Sequence, residues 1–210
     1  MPKSPRPPKA YRNLEFLNGP EARTIRILSE YHEPLARFRK YSIKNSIVFF
    51  GSARSIDHDH LKQNVKNPTR EQMRLAEYYE EAVELARRLT EWAMRDKKRG
   101  QRYYICTGGG PGMMEAANKG AHLAGGKSIG LNISLPMEQY PNPYITEELK
   151  FEFHYFFIRK FWFAYLAKAM VILPGGFGTL DELMEVLTLI QTHKLRKKMP
   201  VVIYGTEFWN

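Results

Sequence analysis

A chain of 210 residues with 43% hydrophobic and 13% aromatic content can bury one sizeable core, which suits a single α/β domain with an added arm. Its 32 Lys and Arg against 22 Asp and Glu give a formal charge of +10. Ten of those basic residues and four of the acidic ones fall within residues 1–45, and the remaining excess is thinly spread, which favours phosphorylated ligands over a nucleic-acid groove. The single cysteine, Cys106, excludes an intrachain disulfide and points to a reducing compartment. The opening MPKSPRPPKAYRN lacks the apolar core of a secretion signal, and no apolar run approaches the ~18 residues of a membrane span. The expectation is a soluble, cytoplasmic protein with no membrane partner.

Residues 1–19, rich in Pro, Lys and Arg, read as a flexible basic arm. Over 20–45, Ile25, Leu28, Leu35 and Phe38 recur at helical spacing, which predicts a helix packed on the domain or on a partner subunit. The region 46–210 then alternates short apolar runs with helical stretches. Runs at Ser46–Ser52, Arg102–Cys106, Lys127–Ile133, Ala169–Leu173 and Pro200–Tyr204 read as buried parallel strands, with a shorter one near Phe151–His154. Helices are predicted at about 70–97, 112–124, 158–168 and 179–191. This alternation predicts an α/β, Rossmann-like, doubly wound parallel sheet with helices on both faces.

Such sheets bind ligands beyond the carboxyl ends of their strands. Three strands end in suggestive loops: Gly51-Ser52-Ala53-Arg54, Thr107-Gly108-Gly109-Gly110-Pro111-Gly112, and Pro174-Gly175-Gly176-Phe177-Gly178-Thr179. Ser52, Gly109 and Gly110 are thereby candidate ligand contacts. The middle loop is no dinucleotide fingerprint, because Met113 stands where the third Gly belongs and no acidic residue ends the next strand. Gly125-Gly126-Lys127-Ser128 is out of register for a P-loop and opens a strand. Asp57-His58-Asp59-His60 reads as solvated loop, and no metal site is expected.

The third loop runs from strand to helix, and Leu180, Leu183, Met184, Leu187 and Ile190 mark that helix. Its glycines let backbone amides approach an anion, and the helix start favours a phosphate. Thr179-x-x-Glu182 also has the form of a capping box, in which Glu182 bonds back to its own backbone; pattern leaves both readings open.

The segment Pro174 to Glu182 resembles the PGGxGTxxE signature of the LOG (Lonely Guy) family, often labelled lysine decarboxylase-like. The resemblance extends through Ile158-Arg159-Lys160, through Gly108 to Ala117, and through Phe50 to Arg54, covering about 46–209. It implies hydrolysis of the N-glycosidic bond of AMP or cytokinin riboside 5'-monophosphates to free base and ribose 5-phosphate. Arg159 and Glu182 are implied as the catalytic pair. Gly175, Gly176, Gly178 and Thr179 are implied to bind the 5'-phosphate, with Lys160 beside the ligand. The resemblance further implies no metal or organic cofactor, and a homodimer or larger homo-oligomer. The arm and first helix are like the longer bacterial type, and the end at Asn210 reads as a truncation. A decarboxylase is disfavoured, because no Lys has a context suited to a pyridoxal Schiff base. The alternatives are a binding protein that carries a nucleotide or molybdenum cofactor on the same fold and, more weakly, nucleic-acid binding through the basic arm.

Overall fold

The computed structural model describes residues 6–96, 101–135 and 140–210. Helix α1 (Leu14–Asn18), capped by Asn13, and a preceding turn at Ala10–Arg12 occupy part of the stretch expected as a flexible arm; residues 1–5 of that stretch lie outside the described residues. Helix α2 (Arg23–Lys40) follows. Then come β1 (Asn45–Phe50), α3 (His58–Asn64), α4 (Arg70–Asp96), β2 (Tyr103–Thr107), α5 (Met113–Leu123), β3 (Ser128–Ile133) and β4 (Lys150–Phe153). The chain ends with α6 (Phe156–Leu166), β5 (Ala167–Ile172), α7 (Phe177–Gln191), β6 (Val201–Ile203) and α8 (Thr206–Trp209).

The six strands form one parallel sheet in the order β4-β3-β2-β1-β5-β6. Because side chains alternate along a strand, each central strand feeds both faces. Val48, Phe50, Cys106 and Ile172 join the core under α2, α6 and α7, while Ile47, Phe49, Ile105 and Val171 join the core under α4 and α5. On the second face α5 lies very close to α4: a Cβ added at Gly120 would sit 2.2 Å from the Val83 carbonyl oxygen, so only glycine fits. The Rossmann-like α/β architecture is therefore present, wound on both faces.

Several boundaries differ from the sequence expectation. The helix expected at 158–168 ends at Leu166, because Ala167 turns extended and passes directly into β5 without a loop. The polar stretch Asp57–His60 starts α3, with Asp57 as its cap, accepting from the His60 amide at 2.8 Å. In α2, Phe38 is buried and Leu35 packs on the core, but Ile25 and Leu28 are 42% and 51% exposed. The docked face is instead completed by Tyr31, with Pro34 buried beside it. No described helix is long and apolar enough to cross a membrane.

Candidate active site

Strand β1 lies between β2 and β5, so the chain reverses its winding direction there and opens a crevice at the strands' carboxyl ends. Two hydrogen bonds fix the crevice floor. The Ser52 amide donates to the Pro174 carbonyl at 2.9 Å, and the Met113 amide donates to the Ser52 carbonyl at 2.9 Å. All three loops that the sequence singled out are thus tied at one residue. The cavity above them has a volume of about 610 Å³.

The turn into α7 forms one wall. A Cβ at Gly175 would lie 2.1 Å from Thr179 Oγ1 and 3.1 Å from the Ser52 amide, so this position must be glycine for the turn to close. Gly176 is the N-cap, and the helix starts at Phe177, two residues before the expected Thr179. The amides of Gly176, Phe177 and Gly178 have no acceptor among the described residues. They belong to the unpaired donors of a helix start, where the dipole also favours an anion. Cβ atoms added at Gly176 and Gly178 would meet nothing within 4 Å, since both face the open cleft. The capping-box reading fails on this geometry: Thr179 is inside the helix and its own amide donates to the Gly176 carbonyl at 3.0 Å.

Glu182 points across the cleft instead. Its Oε1 lies 3.3 Å from Arg159 Nη2, joining α7 to α6. Only 6% of Glu182 is exposed. Burial pushes its carboxyl up to about 7, against the pull of the Arg159 and Lys160 charges. Burial likewise lowers the proton affinity of Arg159, opposed by Glu182, Asp181 and Glu152. The Arg159 guanidinium lies 5.2 Å from the Phe156 ring centroid and 5.6 Å from that of Phe163, and its buried Nε has no acceptor among the described residues. Helix α6 is in turn held by α2: the Glu30 carboxylate accepts from the His154 and Tyr155 amides at 2.7 and 3.1 Å, and the Glu30 carbonyl accepts from Trp162 Nε1 at 3.1 Å. The N-terminal helix thus fixes the element that presents Arg159.

Of the residues expected here, Arg159, Glu182, Ser52, Gly176, Gly178 and Thr179 line the cleft, with Gly175 buried behind its turn. Ser52 Oγ accepts from the Arg54 amide at 3.1 Å, which leaves the hydroxyl proton free to donate. Three expected residues lie elsewhere. Lys160 pairs with Asp181 at 2.8 Å and Glu185 at 3.1 Å and does not line the cleft; burial works against its charge, but the two acids outweigh that and raise its proton affinity. Gly109 and Gly110 are buried, their carbonyls accepting from Asn142 Nδ2 at 3.1 and 3.0 Å; Gly108 lines the cleft in their place. The lining also includes Arg54, Met114, Asn132, Leu135, Phe156 and Phe177, which the sequence reading did not single out as ligand contacts. Arg54 directly follows Gly51-Ser52-Ala53 in the loop that ends the first strand, and that position is its sequence signal. Cys106 is buried in β2, where desolvation pushes its thiol up, away from reactivity.

Fold and cleft define a Rossmann-like α/β protein whose crevice sets a glycine turn at a helix start beside a buried Glu182 paired with a partly buried Arg159. Residues 114–210 match the sequence model of the family described as "Possible lysine decarboxylase", in line with the resemblance drawn from the sequence. Among the described residues no lysine lines the cleft. Among solved structures, the structural-genomics target TM1055 is 25% identical, with 69% of each chain covered and a TM-score of 0.47. The molybdenum cofactor binding protein from the phototrophic bacterium Rippkaea orientalis is 19% identical over 79% of this chain and 80% of that one, with a TM-score of 0.49. The Moco carrier protein from Chlamydomonas reinhardtii is 19% identical over 78% and 79%, with a TM-score of 0.45. No curated protein matches the chain.

Proposed function

We propose that this cleft hydrolyses the N-glycosidic bond of nucleoside 5'-monophosphates, releasing the free base and ribose 5-phosphate. The observation that carries the reading is the Glu182 carboxylate, which faces the cleft against Arg159 one helical turn beyond the unpaired amides. Four helical residues rise about 6 Å, comparable with the reach from a 5'-phosphorus to the anomeric carbon of the same nucleotide. A phosphate on the Gly176–Gly178 amides therefore sets the sugar beside Glu182.

In this reading a water attacks the anomeric carbon as the carbon–nitrogen bond breaks, and Glu182 takes the water's proton. The bonding pair leaves with the base, which takes a proton from solvent, and Glu182 then returns the water's proton to solvent, so that the net change is addition of one water. The transition state is cation-like at the sugar, so a carboxylate beside it lowers the barrier. A proton affinity near neutrality suits a base working at physiological pH, and such a group contributes about 10²–10⁴-fold. Arg159 keeps its proton and therefore acts by orienting Glu182 and by offsetting negative charge on the leaving base or phosphate. Apolar contacts for the base come from Met114, Leu135 and Phe156.

The homo-oligomer implied by the resemblance has a surface available. Phe157, Phe161 and Tyr165 project from α6, and Ile25 and Leu28 from α2, all exposed. Light scattering is expected to give at least twice the 24.5 kDa chain mass, and Phe161→Asp is expected to reduce it; a wild-type monomer overturns this assignment. The catalytic reading is tested by incubating the protein with AMP. Equimolar adenine and ribose 5-phosphate are expected. Binding without release of base from any purine or pyrimidine monophosphate makes the protein a carrier.

A further inference from the structure

The glycine turn supplies amides but no charged side chain, and the helix dipole alone is worth about 0.3–2 kcal/mol. A nucleotide monophosphate is close to a dianion at neutral pH, so a cation beside those amides would strengthen selection of it over the uncharged nucleoside. Lys160 is engaged by Asp181 and Glu185 outside the cleft, and Arg159 is paired with Glu182. Arg54 is the third cation to consider. It lines the same cavity as Gly176, Gly178 and Thr179, it is exposed, and among the described residues its guanidinium makes no ion pair or hydrogen bond. Its backbone is nonetheless fixed. The Arg54 amide donates to Ser52 Oγ at 3.1 Å, and the Ser52 amide is anchored to the Pro174 carbonyl at 2.9 Å, beside the glycine turn. The side chain therefore springs from a loop anchored beside the glycine turn and lines the same cavity as its unpaired amides.

We propose that Arg54 clamps the terminal phosphate against the α7 turn and is the residue that restricts the site to phosphorylated ribosides. The proposal rests on the nucleotide reading above and adds the source of phosphate selectivity. Guanidinium meets a phosphate through two parallel N–H donors, a geometry that an ammonium cannot reproduce. Among the described residues Glu182 is the one acid that lines the cavity, so a phosphate bound between Arg54 and the turn meets little competing negative charge from them.

The test is calorimetric binding of AMP, ribose 5-phosphate and adenosine to the full chain and to its Arg54→Met and Arg54→Lys variants, alongside base release from AMP. Arg54→Met is expected to weaken AMP and ribose 5-phosphate at least tenfold, to leave adenosine within about twofold, and to leave the melting temperature unchanged; Arg54→Lys is expected to fall between. Equal weakening of AMP and adenosine, or unchanged AMP affinity, overturns the proposal. The two readings separate cleanly. Selective loss of phosphate affinity in a protein that releases no base sustains the clamp and removes the hydrolase. Base release unaffected by Arg54→Met does the reverse, and failure of the wild type to bind AMP removes both.

Discussion

At the scale of single residues, the decisive feature is a carboxylate held where its charge is expensive. Glu182 gains from Arg159 at 3.3 Å, but burial outweighs that gain and pushes its carboxyl up to about 7. Two pH effects follow from the same displacement. The proposed base must be ionised, so kcat/KM is expected to rise with pH through about 7. Stability moves the other way: the unfolded carboxyl ionises near 4.5 while the folded one retains its proton, so the protein loses stability as pH climbs from about 4.5 to 7. Glu182→Gln removes that dependence. It is expected to be more stable than wild type at pH 8, by about 3 kcal/mol at most, with the gap closing near pH 4.5. Denaturant unfolding at both pH values measures this; a gap independent of pH contradicts the assignment. The Arg159 and Glu182 positions were legible through the family resemblance. The capping-box ambiguity was not resolvable from spacing, because it turned on whether the helix began at Phe177 or Thr179.

At the scale of elements, the start of α7 separates structural from functional glycines. Gly175→Ala would force a methyl against Thr179 Oγ1 and is expected to destabilise the fold by about 1–3 kcal/mol. Gly178→Ala meets no protein atom and sits in a helix, so stability is expected to rise by about 0.5–1 kcal/mol. The same methyl projects into the proposed phosphate position and is expected to weaken AMP binding. Thermal melts paired with binding isotherms check both, and a Gly178→Ala variant that binds AMP normally places the phosphate elsewhere. Strands β1, β2 and β3 were readable because buried parallel strands are near-continuous apolar runs, whereas β6, expected as buried, is an edge strand with Val202 and Ile203 48% and 52% exposed. The role of α2 was readable only in part. Its periodicity gave a face, but which turns of that face are covered depends on where α6 ends, and Glu30 reaching the α6 start leaves no sequence signature.

At the scale of the whole molecule, the order β4-β3-β2-β1-β5-β6 brings together loops from residues 51–54, 108–112 and 174–179 at one crevice. Sequence showed the loops, and the strand–helix alternation showed that they share an edge. It could not show that Lys160 would turn toward Asp181 and Glu185, or that Gly109 and Gly110 would be buried under Asn142, since side-chain partners across α6, α7 and the 140s region are set by packing. The measurement that bears most directly on the account is single-turnover cleavage of AMP by wild type and Glu182→Gln, with AMP affinity measured on both. The account predicts adenine release by wild type, a loss of about 10²–10⁴-fold or more in the variant, and AMP affinity retained within several-fold. Undiminished adenine release by Glu182→Gln would contradict it.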